Sequence, residues 1–178
     1  MLEINDNEID ERYGSVPRGF TLSGFGAGFH DEICDMLEST QMFKRLQSKH
    51  IAVLSEYCVG YDVEEGVKLL TEGEVDPHMF LLIKGKLKVS KRNDDNSESV
   101  IATILPGKTI GEMSLIDGQT HSASVITTTP CKVLMLGRGA LNRLARNHPR
   151  VALEVVIKIA QVISNRLRQT SGKLVDFL

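Results

Sequence analysis

The sequence predicts a mainly β domain flanked by helices, with helical segments ahead of the strands and a long helix behind them. Three observations carry this. From Cys58 to Leu136 apolar residues fall in short alternating or continuous runs, broken by Gly, Pro, Asp or Asn roughly every eight to twelve residues, the spacing of a sandwich or barrel. Ahead of that region, between Asp31 and Tyr57, the apolar period is helical. Beyond Gly137 it is helical again and far more apolar.

The chain has 178 residues, 42% of them hydrophobic, enough for one cored domain plus an extension. A net charge of −2 gives no global sign of nucleic-acid binding. Cys34, Cys58 and Cys131 are odd in number, widely spaced and without a CxxC pair, so reduced thiols in a cytoplasmic protein are expected, not a disulfide frame or metal site. No apolar run approaches the ~18 residues of a membrane span, and the acidic N-terminus has no signal-peptide core.

Residues 1–30 differ in kind. Glu3, Asp6, Glu8, Asp10 and Glu11 are followed by five glycines at 14, 19, 24, 26 and 28, and a flexible N-terminal arm is expected, with Phe20, Phe25 and Phe29 as docking points. Gly24–Gly28 lacks the preceding strand and full spacing of a dinucleotide loop. The main domain is then 31–178. Ile33, Met36 and Leu37 define a first helix, and Met42, Phe43, Leu46, Ile51, Val53 and Leu54 further helical pieces, covering one end of the β region. Strands are expected at Val59–Val63, Val67–Leu70, Met79–Lys84, Leu87–Val89, Val100–Leu105, Ala123–Thr128 and Cys131–Leu136, with a hairpin tip at Asn93–Ser97. Lys84, Lys86, Lys88, Lys91 and Arg92 read as lysines guarding an outer strand against edge pairing.

The chemistry concentrates in Ile110–Val125. Gly111 permits close backbone approach; Glu112 follows, with Met113, Leu115 and Ile116 at helical spacing behind it. One short helical turn would bury the apolar face and aim N–H groups outward, where they suit an anion. Asp117-Gly118 turns, and His121-Ser122-Ala123 re-enters a strand. A carboxylate, N–H groups, a hydroxyl and an imidazole then converge, which suits a sugar carrying an anionic group.

These residues resemble the phosphate-binding cassette of the cyclic nucleotide-binding domain family: Phe-Gly-Glu, a few apolar residues, then Arg-(Ser/Thr/Ala)-Ala. Here the cassette is Ile110-Gly111-Glu112 and, nine residues beyond the Glu, His121-Ser122-Ala123. The resemblance spans roughly 41–173. It implies a double-stranded β-roll, jelly-roll-like, with N-terminal helices and a long C-terminal helix. It implies Gly111, Glu112, Met113, His121, Ser122 and Ala123 as ligand-binding residues, with Glu112 accepting from a ribose hydroxyl and Ser122 bonding a phosphate oxygen. The implied ligand is cAMP or cGMP, with no other cofactor. The departure is His121 where the family has Arg. An Arg fork is planar, bidentate and always charged, whereas an imidazole is single-pronged and partly charged near neutrality. Losing one charge-assisted bond costs roughly 1.5–3 kcal/mol, so weak binding, favoured at low pH, or binding of another anion is expected.

After Arg138–Asn147, a helix from Pro149 to about residue 170 has only Glu154, Lys158 and Gln161 as polar residues between Val151 and Ile163. Glu154 and Lys158, four apart, share a narrow solvent stripe. A helix so apolar needs cover on two sides. A homodimer through Ala152, Val155, Val156, Ile159, Val162, Ile163 and Leu167 is expected; burial against the chain's own N-terminal helices is the other possibility. Its end, Arg166-Leu167-Arg168-Gln169-Thr170-Ser171-Gly172-Lys173, is similar to the end of the dimer helix in catabolite-activator-type regulators, and implies Thr170 and Ser171 as base contacts. Those regulators continue into a DNA-binding domain; this sequence stops at Leu178, so direct DNA binding is not expected.

The leading functional reading is a regulatory sensor module signalling through its C-terminal helix to a partner protein. A ligand-free dimeric scaffold is the main alternative. A cupin-like metalloenzyme is a minor one, since His30, His50, His78, His121 and His148 are scattered and never paired. No nucleophile elbow, P-loop or catalytic triad is present to suggest an enzyme.

Overall fold

The computed structural model describes residues 18–24, 29–93, 95 and 97–175. In chain order the elements are β1 (Phe20–Gly24), α1 (His30–Glu38), α2 (Ser48–Ser55), β2 (Val59–Val63), β3 (Lys68–Leu70), β4 (His78–Lys84), β5 (Leu87–Arg92), β6 (Glu98–Ile104), β7 (Thr109–Ile110), α3 (Glu112–Asp117), β8 (Ser124–Thr127), β9 (Cys131–Gly137), α4 (Arg138–Asn147) and α5 (Pro149–Val175). Two sheets face each other, in the orders β1-β2-β9-β4-β7 and β3-β8-β5-β6. Every pairing is antiparallel, as a roll closed by hairpins and returns requires. The architecture is the mainly β roll with flanking helices that the sequence implies.

Two apolar cores result. Val59, Tyr61, Leu69, Leu70, Phe80, Leu82, Leu87, Val125 and Val133 fill the roll between the sheets. Their partners in sequence point the other way: Cys58, Met79, Leu81, Leu134 and Leu136 meet Ile33, Leu37, Ile51, Leu54, Leu144 and Ile159 from the helices. The period-two alternation of β4 and β9 therefore builds both cores at once, which is why those strands read as almost continuous apolar runs. All three cysteines are free thiols. Burial, with a smaller contribution from Cys34, pushes the Cys58 thiol up to about 12.

Four expectations change. The arm gives way to structure at 20–24, where β1 pairs with β2, Phe20 opposite Val63, and the Phe20 ring packs edge-on against Tyr61 at 5.5 Å; residues 1–17 and 25–28 lie outside the described residues. The segment 41–45 forms successive turns, not a helix, although Met42, Phe43 and Leu46 are buried as expected. The lysine-bearing strand β5 lies between β8 and β6. The edge is β6, which exposes Val100 and Ile101, so Lys88 and Lys91 decorate an interior strand and guard no edge.

The fourth concerns α5, which runs five residues past the expected end, to Val175. Val151, Ala152, Val155 and Ile159 lie in the core formed with α1, α2 and α4, and Val156, Val162 and Ile163 pack partly against it. Most of the face expected to dimerise is thus covered by the chain's own helices, which supply the nearer apolar surface. Glu154 Oε2 is 2.8 Å from His50 Nδ1 of α2, so this residue, although its side chain is still 41% exposed, also takes part in the contact between the helices.

Candidate functional site

The site is assembled where β7 ends. Gly111 adopts φ +77, and a Cβ there would lie 2.2 Å from the His78 carbonyl oxygen of β4, so glycine is required on both counts. This turn starts α3, which buries Leu115 and Ser114 and exposes Met113 and Ile116. Gly118, at φ +73, ends it. Arg138 of α4 anchors the back of the helix: Nε donates to the Leu115 carbonyl at 3.1 Å and Nη2 to that of Ile116 at 2.7 Å. Ser114 Oγ donates to the Gln119 carbonyl, and the Gln119 N–H donates to Asp117 at 2.9 Å, closing the return.

That return delivers His121 beside the turn preceding β4. Its N–H donates to the Glu74 carbonyl at 2.9 Å, and its carbonyl accepts from the Gly73 N–H at 2.9 Å. The imidazole is 6% exposed and Nε2 has no hydrogen-bond partner. Nearby, His78 Nδ1 bonds the Asp76 carboxylate. That hydrogen bond, with charge on His78 and His121, holds Asp76 below the usual carboxylate range against the opposing effect of burial.

Glu112 is 2% exposed. Its Oε1 accepts from Arg166 Nη1, while Arg166 Nη2 donates to the Thr109 carbonyl. Its Oε2 is buried without a partner. A cavity of about 190 Å³ is lined by Gly111, Glu112, Met113, His121, Ser122 and Ala123, six residues singled out from sequence, with Arg166 and the roll-interior residues Leu70, Val89, Ile104 and Val125. Its chemistry is a recessed carboxylate, an imidazole, a hydroxyl and a guanidinium over an apolar floor, a combination suited to a hydroxylated anion with one flat or apolar end.

Thr170 and Ser171 are exposed on α5 and do not line this cavity in the single chain. A second cavity, about 550 Å³, abuts the first at Ile104 and Arg166 and carries Gln161, Asn165 and Gln169 of α5 instead. Arg166 was not singled out as a site residue: it is 54 positions from Glu112, and no local pattern links the two. Asp76 and His78 were missed likewise. Among the described residues, no group of three or more His, Cys, Asp or Glu is placed to hold a metal, and no helix is long and apolar enough to cross a membrane.

With this geometry in view, the comparisons are specific. Residues 62–148 match the family model described as cyclic nucleotide-binding domain. The chain is 25% identical over 144 residues to a CRP-like cAMP-activated global transcriptional regulator of Mycobacterium tuberculosis, covering 81% of this chain and 62% of that protein. It is 27% identical over 177 residues to glutaminase 1 of Bradyrhizobium diazoefficiens, covering 99% of this chain and 26% of that protein. The chain thus spans less than two thirds of these relatives' length. Among solved structures it is similar to a cyclic nucleotide-binding domain from Methylobacillus flagellatus, with a TM-score of 0.78, 27% identity and 90% of each chain covered. In motif, fold and relatives alike, this chain is similar to the cyclic nucleotide-binding domain family, whose model matches its residues 62–148.

Proposed function

We propose that this chain is a regulatory sensor module, and not an enzyme, which binds cAMP, cGMP or a related anionic ligand in the cavity beside α3 and signals by moving α5. The observation that carries this is Glu112: a carboxylate 2% exposed at the cavity wall, with one oxygen held by Arg166 and the other unpartnered. A buried acceptor left in that state favours a ligand hydroxyl that donates to it. Ser122 and His121, on the same cavity, would meet the anion. Ligand bound between roll and helix would favour one α5 position over others, a population shift.

We further infer a homodimer, through a face of α5 that shares only Leu167 with the one expected from the sequence. Leu153, Ile157, Ala160, Ser164, Leu167 and Ser171 follow a four-three spacing, the seam of a two-stranded coil. Leu153, Ile157 and Leu167 are 61%, 46% and 66% exposed. Ser171 on that seam would turn toward the second copy, which is how it and Thr170 could serve as base contacts. The free thiols accord with a cytoplasmic setting.

A second reading, a ligand-free dimeric scaffold, draws on the same site: Arg166 already engages Glu112, and His121 stands in the family's arginine position. Calorimetric titration with cAMP and cGMP at pH 6 and pH 8 decides between them. The sensor reading expects binding from either nucleotide, tighter at the lower pH because histidine side chains in general gain charge as pH falls. His121→Arg should tighten binding by about one to two decades. No heat from either nucleotide at millimolar concentration would leave the scaffold.

A further inference from the structure

α5 changes character along its length. Val155 and Ile159 close the helical core. From Lys158 onward the helix turns Lys158, Gln161, Asn165 and Gln169, spaced three, four and four apart, toward its own roll across a gap. That gap is the cavity of about 550 Å³, bounded on its other sides by Gln41 and Met42 and by the return from β6 to β7. A polar stripe facing the protein's own body leaves open a space that apolar side chains would close at lower free energy. We propose that this cavity is a second ligand site, separate from the one beside α3, for a small organic anion with an apolar body.

The inference goes beyond the sensor reading and does not depend on it, since the two cavities share only Ile104 and Arg166. Charge gives the class of ligand. Lys108 of the return, Lys158 and Arg166 line the cavity, and no Asp or Glu does. Arg166 is paired with Glu112, whereas neither lysine pairs with a carboxylate among the described residues. Two positive charges, one on the roll and one on α5, are left to attract an anion. Thr109 points to a ligand independently. It is 2% exposed, and its buried hydroxyl has no partner. Ile110, next in β7, packs into the roll interior, so strand alternation turns the Thr109 side chain to the opposite face, where this cavity lies. A buried hydroxyl without a partner is costly, and an acceptor on a ligand removes that cost. Met42, Ile104, Leu105 and Val162 supply the apolar wall, and the volume is ordinary for a small-molecule cleft.

The test uses the full chain with isotope-labelled methionine methyl groups, titrated with octanoate and with its uncharged counterpart octanamide. Met42 lines only the second cavity and Met113 only the one beside α3, so their methyl resonances report the two sites separately. Octanoate should move the Met42 signal saturably and leave the Met113 signal in place, and octanamide should bind at least about ten-fold more weakly. Lys108→Gln combined with Lys158→Gln should weaken octanoate about ten-fold, and Thr109→Val, which keeps the shape and removes the donor, about five-fold. Thermal melts first establish that the variants fold, and Thr109→Ala stands in if Thr109→Val does not. No Met42 shift at millimolar octanoate overturns the proposal. So does an equal or larger shift at Met113, equal binding of octanamide, or affinity within about two-fold of the parent in either variant.

Discussion

Ile157 and Ile159 stand two residues apart on α5, yet one is 46% exposed and the other fully buried. Arg166 and Arg168 repeat the contrast nearer the end of the helix. Arg166 reaches Glu112 and the Thr109 carbonyl, whereas Arg168 bonds only along its own helix, to Ser164 Oγ at 2.8 Å and Asn165 Oδ1 at 2.5 Å. One side of the helix thus closes the core and then the cavity; the other repeats an apolar seam that no described residue covers. Identical side chains acquire different roles from a rotation of about 200° around the axis. Apolarity along a helix therefore identifies where burial happens but not what does the burying.

The sharpest way to break this contrast is truncation at the paired isoleucines. Ile159→Ala should cost about 2–5 kcal/mol, and Ile157→Ala under about 0.5 kcal/mol in the monomer, measured by urea denaturation. Similar losses at both would mean that α5 packs in another rotation. The paired arginines come next. Arg166→Ala leaves the buried Glu112 carboxylate without its cation and should cost roughly 1–3 kcal/mol, whereas Arg168→Ala should stay within about 0.5 kcal/mol.

A smaller effect tests the site side through pH. Asp76 is held below the usual carboxylate range by the His78 hydrogen bond and by the charge of His121. The folded state therefore resists protonating a carboxyl that the unfolded chain protonates first. The resulting stabilisation is present in full above about pH 4 and is lost as pH falls through the lowered native value. Asp76→Asn should reduce stability at pH 6 by under about 1 kcal/mol, since solvent screens a carboxylate that is 46% exposed, and the gap to the parent should narrow in acid denaturation curves as pH falls through the lowered native value. The smallest effect on folding belongs to the seam. Leu153→Lys with Ile157→Lys should leave monomer stability within about 0.5 kcal/mol while abolishing the dimer in sedimentation. A dimer that persists would move the interface elsewhere.

Much of the cavity lining is legible in the sequence because its residues are local. Gly111, Glu112, His121, Ser122 and Ala123 fall within thirteen residues, and a turn, a six-residue helix and a return can bring such a segment around one cavity with no help from distant sequence. The missing members come from elsewhere. Asp76, in the turn before β4, and His78, the first residue of β4, lie beside His121 and Gly111 without lining the cavity, and Arg166 comes from the C-terminal helix, all by sheet pairing and helix packing that no local periodicity encodes. β1 was missed for a related reason: its glycines and polar residues carry no strand pattern, and pairing with β2 makes the strand.

Periodicity, turn residues and one cassette settle the alternating β region, the limits of most helices and the placing of a carboxylate beside an anion-sized hollow. These follow from neighbours in the chain, whose geometry is set by short-range sterics and apolar spacing. Folding in three dimensions assigns α5 its inward face, turns Ala152, Val155 and Ile159 of the expected dimer face into core and pairs Arg166 with Glu112. The reason is that burial is non-directional: an apolar surface lowers its free energy against whichever apolar neighbour the topology brings nearest, and that neighbour can lie more than a hundred residues away.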